Sequence, residues 1–119
     1  MVKNYRDLIV WQKSMELVTK VYLVTKTFPK EEIYGLMSQI RRSCVSIPSN
    51  IAEGYGRNST NDYLRFLQVA RGSLYELQTQ LEICHNLHYL SKQTFEELFE
   101  QSREIERMLC SLIKKVGHK

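Results

Sequence analysis

Apolar residues recur along most of this chain at intervals of three and four, which is the spacing of one face of an α-helix. The pattern predicts four helical segments separated by short breaks. The first runs from about Arg6 to Phe28 and ends at Pro29, because proline disfavours helical geometry at the residue before it. The later segments begin near Lys30, at one of Asn58, Ser59 and Thr60, and at Ser91.

The first and third segments carry more apolar surface than one face of a helix bundle requires. In the first, the stripe Leu8, Trp11, Met15, Val18, Tyr22 and Thr25 has a neighbouring stripe of Val10, Leu17, Val21, Val24 and Phe28. In the third, the seam Leu67, Ala70, Leu74, Leu77, Leu81 and Cys84 has a neighbouring stripe of Phe66, Val69, Ile83, Leu87 and Leu90.

This surplus has two interpretations. Both stripes of a helix could be buried within one chain, or one could face the core while the other faces a second subunit. We expect a homo-oligomer, most simply a closed ring. The residues expected at the subunit interface are Val10, Leu17, Val21, Val24, Phe66, Val69 and Ile83, together with Arg41 and Arg42.

Two features in the helical segments require a structural explanation. The apolar face of the second segment continues on both sides of Pro48, so the pattern predicts one helix kinked at the proline, which Gly54 and Gly56 then end. Ser43, Ser46 or a water could bind the carbonyl of Cys44 that the proline leaves unpaired. In the third segment, Gly72 is best explained by the close approach of a neighbouring helix.

Four helices with short connections predict an all-α fold, an antiparallel up-down-up-down four-helix bundle. At 119 residues the chain is expected to be a single domain covering residues 1–119. Its three cysteines form no C-x-x-C pair, and it has neither a signal-peptide pattern nor a long apolar run. We therefore expect a cytoplasmic protein without a membrane span.

Candidate catalytic chemistry is sparse. Glu82 and His85 form a single E-x-x-H unit, whereas di-iron bundles use two such units with further glutamates. The turn GYGRNS at 54–59 lacks the arrangement of a phosphate loop, although Arg57 beside the start of the third helix could hold a phosphate. We expect no enzyme activity, no metal and no cofactor.

The charge of the chain is modest and unevenly distributed. The formal net charge is +4, with basic residues in excess towards both ends and an acidic stretch at 72–106. Arg41 and Arg42 could form ion pairs between subunits or bind phosphate, and we favour ion pairs with the acidic stretch. The cations expected to contact a nucleic acid or a partner are Lys13, Lys20, Lys26, Lys30, Arg57, Lys114 and Lys115, with Lys3 at the exposed N-terminus.

Three stretches of the sequence closely resemble one family. They are VWQKSMEL at 10–17, TFPKEEIYGLMSQIRRSCVSIPSNIAEGYGRNS at 27–59 and YLRFLQVARGSLYELQTQLEICHNLHYL at 63–90. The family is that of the four helix bundle proteins, also called 23S rRNA intervening-sequence proteins, and the resemblance extends from about Tyr5 to Leu112. The sequence is also similar to the accessory proteins of diversity-generating retroelements.

The resemblance implies a bacterial cytoplasmic protein assembled as a homopentameric barrel. The retroelement accessory proteins bind a reverse transcriptase and contact nucleic acid through a basic surface. By this resemblance the chain is expected to be a non-enzymatic oligomer that binds RNA or a nucleic-acid-processing protein. The alternatives are a protein-only scaffold or adaptor and, third, a nuclease acting on an rRNA insertion.

Overall fold

The computed structural model describes residues 1–118 and contains the four predicted helices. They are α1 (Ile9–Thr25), α2 (Leu36–Tyr55), α3 (Thr60–Asn86) and α4 (Lys92–Gly117). Short 3₁₀ turns at Tyr5–Asp7 and Lys30–Glu32 precede α1 and α2. No helix among residues 1–118 is both long enough and apolar enough to cross a membrane.

Hydroxyl and carboxylate groups cap three of the helices. Ser59 Oγ accepts from Asp62 N at 3.1 Å, and Ser91 Oγ accepts from Thr94 N at 3.1 Å, so α3 and α4 begin with side-chain caps. The start of α2 is bound from the preceding turn, where Glu32 Oε1 accepts from Leu36 N at 2.9 Å. These bonds satisfy N–H groups that have no partner within a helix.

Contacts between neighbouring helices show the relative directions of the two helices. Between α2 and α3, Ser43 contacts Gln80, and Ser46 contacts Ser73 closer to the other end. Between α1 and α4, Lys13 approaches Glu104, whereas Lys20, further along α1, lines a groove with Glu96 and Glu97, which come earlier in α4. Since the residue numbers rise along one helix as they fall along its neighbour, these neighbours run in opposite directions. The molecule measures 45 × 25 × 20 Å along its principal axes.

The seam predicted for α3 forms the centre of the core. Its six residues, Leu67, Ala70, Leu74, Leu77, Leu81 and Cys84, are completely buried, which confirms the heptad pattern. Isoleucines of α2 and aliphatic residues of α4 pack against this seam. The four-helix all-α fold follows from this single apolar centre.

The assignment of α1 residues to a subunit interface was wrong. Val10, Leu17 and Val21 are buried in the core of the chain itself, and Val24 is half-buried against that core. The buried side of α1 also contains Ser14 and Thr25, whose hydroxyls donate to helix carbonyls four residues earlier. A hydroxyl that bonds to a carbonyl of its own helix can be buried. The side of α1 that contains Ser14 and Thr25 therefore faces the core, although these polar residues interrupt its apolar pattern.

The close approach of two helices occurs at Gly54 and not at Gly72. A Cβ on Gly54 would lie 2.8 Å from Phe66 Cβ and 3.2 Å from Tyr63 Cδ1, whereas a Cβ on Gly72 would have no atom within 4 Å. Gly72 is exposed, so the predicted neighbouring helix is absent there. α2 and α3 can therefore pack at this distance only because residue 54 has no side chain.

α2 continues through Pro48 as one helix, as predicted, while the kink stays a prediction. The serines before Pro48 join α2 to α3. Ser43 Oγ donates to Gln80 Oε1 at 2.6 Å, and the hydroxyls of Ser46 and Ser73 bond to each other at 2.9 Å. Ser43 Oγ also lies 3.1 Å from the carbonyl oxygen of Ile40 in α2, and within residues 1–118 neither hydroxyl bonds to the Cys44 carbonyl as predicted.

The contact at Gly54 predicts opposite effects of alanine at two helical glycines. Gly54→Ala should lower the free energy of unfolding by about 1–3 kcal/mol, because the new methyl group forces α2 and α3 apart. Gly72→Ala should raise it by about 0.5–1 kcal/mol, because exposed helical alanine is favoured over glycine. Urea denaturation of both variants measures the difference, and a Gly54→Ala protein as stable as the wild type would contradict the assignment.

Glu32 predicts a dependence of stability on pH. Its carboxylate accepts from Leu36 N at 2.9 Å and from Tyr89 Oη at 2.8 Å, and these bonds lower its pKa in the folded state. Its contribution to stability is therefore present above the unfolded pKa and lost as the pH falls through the folded pKa. Glu32→Gln should lower the urea midpoint at pH 7, and this difference should shrink at pH 3.

The neighbouring substitution Glu31→Gln provides the control for this pH dependence. Glu31 is exposed and lies in the same 3₁₀ turn. The Glu31→Gln substitution should leave the urea midpoint close to that of the wild type at both pH values. An equal loss for Glu32→Gln at pH 7 and pH 3 would show that the carboxylate charge has no part in the bond.

Candidate nucleic-acid interface at one end of the bundle

The helix directions gather basic side chains at one end of the bundle. This end, called the basic end below, holds the starts of α1 and α3 and the ends of α2 and α4. A Cβ on Gly117 would lie 3.8 Å from Leu64, which places the end of α4 beside the start of α3. The cations of the basic end are Lys3, Arg6, Arg57, Arg65, Lys114 and Lys115, and the acids are Asp7, Glu53 and Asp62.

Two arginines of the basic end stack on one phenyl ring. The guanidinium carbon of Arg57 lies 4.6 Å from the centroid of the Phe66 ring, and that of Arg65 lies 5.2 Å from it. Arg57 is also paired with Glu53 at 2.7 Å, and Arg65 with Asp62 at 3.4 Å. The side chains of Arg57 and Arg65 are 42% and 67% exposed, so both oriented guanidinium groups keep part of their surface open to solvent.

Phe66 is the residue that both arginines share, and its expected place at a subunit interface stays a prediction. Its ring is half-buried and is covered by two guanidinium groups of the same chain. Phe66 therefore supports the basic end and does not present a free apolar surface. Arg57 and Phe66 lie on opposite sides of the α2–α3 turn, nine positions apart. The sequence pattern alone therefore could not predict that the Arg57 side chain lies over the Phe66 ring.

Two of the predicted cations of α1 lie beside acidic residues of α4. Lys13 Nζ is 3.7 Å from Glu104 Oε1. Lys20 lines a groove between α1 and α4 that also contains Glu96, Glu97 and Glu100. Acidic residues of the same chain therefore partly neutralise the charge of Lys13 and Lys20. These lysines do not belong to a uniformly positive surface.

The structure separates the remaining predicted cations into two groups. Lys114 and Lys115 lie at the end of α4, within the basic end. Lys26 and Lys30 follow the end of α1, and α1 and α4 run in opposite directions, so these two lysines lie at the far end of the bundle. The expected cations thus do not form one continuous patch.

Arg41 and Arg42 occupy different environments. Arg41 Nε donates to Thr25 Oγ1 at 2.9 Å, its Nη2 donates to the carbonyl of Tyr22 at 3.1 Å, and its guanidinium carbon lies 4.4 Å from the Tyr22 ring centroid. Two of its donors therefore bind the end of α1 within the chain, while the intersubunit ion pair of Arg41 stays a prediction. Arg42 is exposed and has no ion pair of 4.0 Å or less within residues 1–118.

Three groups with catalytic potential are engaged or buried. His85 stacks on Phe95 with ring centroids 4.6 Å apart. Burial raises the pKa of the Cys44 thiol to about 12 and that of the Cys84 thiol to about 11, which disfavours their nucleophilic thiolate forms. Within residues 1–118, no three or more His, Cys, Asp or Glu residues lie close enough to hold a metal ion.

Comparisons with known proteins agree with this architecture. The family described as 23S rRNA-intervening sequence protein matches residues 6–111. A solved structure from Bacteroides thetaiotaomicron, of a protein of unknown function from the S23 ribosomal protein family, is 28% identical with a TM-score of 0.82. The match covers 89% of this chain and 96% of that one. No curated protein matches the sequence. Since the family match spans nearly the whole chain, the protein belongs to the family of 23S rRNA-intervening sequence proteins.

Proposed function

We propose that this protein is a non-enzymatic homo-oligomer, a pentamer by its resemblance to the family, that binds RNA through the basic end of each bundle. The observation that carries the proposal is the collection of cations at that end, centred on Arg57 and Arg65 above Phe66. Guanidinium groups held on an aromatic ring present planar pairs of donors, which match the geometry of phosphate. The family description, which refers to 23S rRNA, supports RNA as the polyanion.

The distribution of charge over the surface favours binding of RNA at the basic end. The α1–α4 groove towards the far end is lined by four acids and two cations, so its formal charge is negative; they are Glu96, Glu97, Glu100 and Glu104 with Lys20 and Arg107. A polyanion is therefore repelled from that part of the surface and attracted to the basic end. Several chains arranged around one axis would add their fields, so a net charge of +4 per chain would become a strong local potential.

Self-association is supported by apolar surface that the chain does not cover. Met15, Tyr22, Ile33, Tyr34 and Val45 are all exposed along the groove between α1 and α2. Contiguous apolar surface of this kind marks interaction sites on soluble proteins. The same groove is the observation that favours the second candidate function, a scaffold that binds only another protein. A partner retained in a pull-down after nuclease treatment, with no RNA binding, would support that alternative.

Reversal of charge at the two ends of the bundle tests RNA binding. The variant Lys114→Glu/Lys115→Glu should weaken binding of a labelled structured RNA at least about tenfold and reduce the salt dependence of its affinity, because phosphate contacts are lost. The matched variant Lys26→Glu/Lys30→Glu makes the same change of charge at the far end and should bind nearly as tightly as the wild type. Affinity is measured at about 50 and 200 mM salt.

Two results would contradict this proposal. Absence of binding by the wild type at the lower salt concentration would remove RNA as the ligand. Equal weakening by the two double variants would show that net charge, and not the basic end, determines the affinity. Far-UV circular dichroism of each variant checks that its helix content is unchanged.

The assembly has an independent test. Light scattering at micromolar concentration should give a mass several times that of the 14.1 kDa chain, about fivefold for the pentamer implied by the resemblance. Burial of the exposed apolar surface supplies the driving force. A species of 14.1 kDa under these conditions would refute the oligomer.

A further inference from the structure

The basic end carries aromatic side chains as well as cations. They lie at or beside the starts of α1 and α3 and the end of α2, and each is half-buried; they are Tyr5, Trp11, Tyr55, Tyr63 and Phe66. A half-buried ring is held by the protein and still keeps part of its surface in solvent, which is the condition for stacking on a ligand.

Four of these rings form two pairs, each with an inner and an outer ring. The inner rings, Trp11 and Tyr63, pack against the hydrophobic core. Tyr5 meets Trp11 with ring centroids 5.2 Å apart and planes at 72°, and Tyr55 meets Tyr63 with centroids 6.1 Å apart. Within the described residues the core cluster does not include Tyr5 or Tyr55. Each outer ring is therefore positioned by an aromatic neighbour without filling the core.

Arginine side chains lie beside these rings on two sides of α2. The guanidinium carbon of Arg6, an exposed residue, is 5.9 Å from the centroid of the Tyr5 ring and 5.8 Å from that of Trp11. Both rings line a groove with Ala52 of α2, whereas Phe66 and its two arginines meet α2 at Gly54. Two positions apart on a helix, residues 52 and 54 face opposite sides, so about one helix diameter, roughly 10 Å, separates the two groups of arginines.

Paired and unpaired RNA offer different groups to such a surface. In an A-form duplex the bases stack on one another, so a protein contacts mainly phosphates and 2′-hydroxyls. In loops, bulges and ends the bases can stack on aromatic rings or guanidinium planes. Cations alone would suit both forms of RNA, whereas cations interleaved with aromatic rings favour the unpaired form.

Resting on the proposed RNA binding, we infer that the basic end takes unpaired segments of RNA in preference to duplex. Unpaired bases stack on the outer rings, Tyr5 and Tyr55, while Arg6 and Arg57 beside them bind the adjoining phosphates. The two tyrosines thus determine the preference for unpaired RNA, and the cations contribute affinity for both forms.

Two RNA hairpins of equal length, and so of equal phosphate charge, test this preference. One has a large single-stranded loop, and the other is paired along almost its whole length. The wild type should bind the large-loop hairpin at least about tenfold more tightly, because stacking on aromatic rings is open only to unpaired bases. Both affinities should fall between about 50 and 200 mM salt, whereas their ratio should change little, because stacking does not release counterions.

Removal of the two outer rings tests their assignment. The variant Tyr5→Leu/Tyr55→Leu keeps the charge and an apolar side chain at both positions. It should bind the large-loop hairpin about as weakly as the paired one, with its affinity for the paired hairpin unchanged. The control Tyr34→Leu/Tyr75→Leu removes two exposed tyrosines that lie outside the basic end, and it should keep the wild-type preference.

The outcomes separate the preference from RNA binding itself. Failure of the wild type to bind either hairpin would remove the RNA binding of the proposed function. Equal binding of both hairpins by the wild type would overturn the preference and leave RNA binding standing. A Tyr5→Leu/Tyr55→Leu protein that keeps the preference would overturn the assignment to these rings. If circular dichroism or light scattering shows that this variant differs from the wild type in helix content or mass, the single variants replace it, each expected to lose about threefold of the preference.

Discussion

The contact between α2 and α3 at Gly54 is the constraint on which the rest of the structure depends. The space for a Cβ there is filled by Phe66, and the helices are joined further along by hydrogen bonds from Ser43 and Ser46. This contact fixes which side of α2 faces α3 and therefore which side is left to form the groove with α1. It also holds Phe66 beside the end of α2, where Arg57 can reach the ring.

The same packing thus links the fold to the candidate site. Arg57 follows the end of α2, and Arg65 lies in the second turn of α3. They share Phe66 only because α2 and α3 meet closely at that end. Each guanidinium group is also held by a carboxylate three or four residues earlier. Ion pairs exposed to this degree contribute little to stability, so their main effect is to orient the donors.

The periodicity of apolar residues predicted the four helices well. It could not predict which side of a helix faces the core or at which end of the bundle a residue lies. The seam of α3 and the Ser91 cap follow from local pattern alone, whereas the pattern left Asn58, Ser59 and Thr60 open as the cap of α3, and Ser59 occupies that position. The core stripe of α1 was misjudged because Ser14 and Thr25 satisfy their hydroxyls within the helix. The lysines were grouped by composition, whereas helix direction decides that Lys26 and Lys114 lie at opposite ends.

Charge and assembly are connected by symmetry. Rotation about the axis of a closed ring carries each chain onto the next without reversing its direction along that axis. In a closed ring of identical chains, every basic end would therefore lie at the same height along the axis. A two-fold dimer whose axis crossed the bundles would instead point the two basic ends in opposite directions. A closed ring is thus the arrangement that concentrates Arg57, Arg65 and the α4 lysines of all copies on one rim, where a single RNA could contact several of them at once.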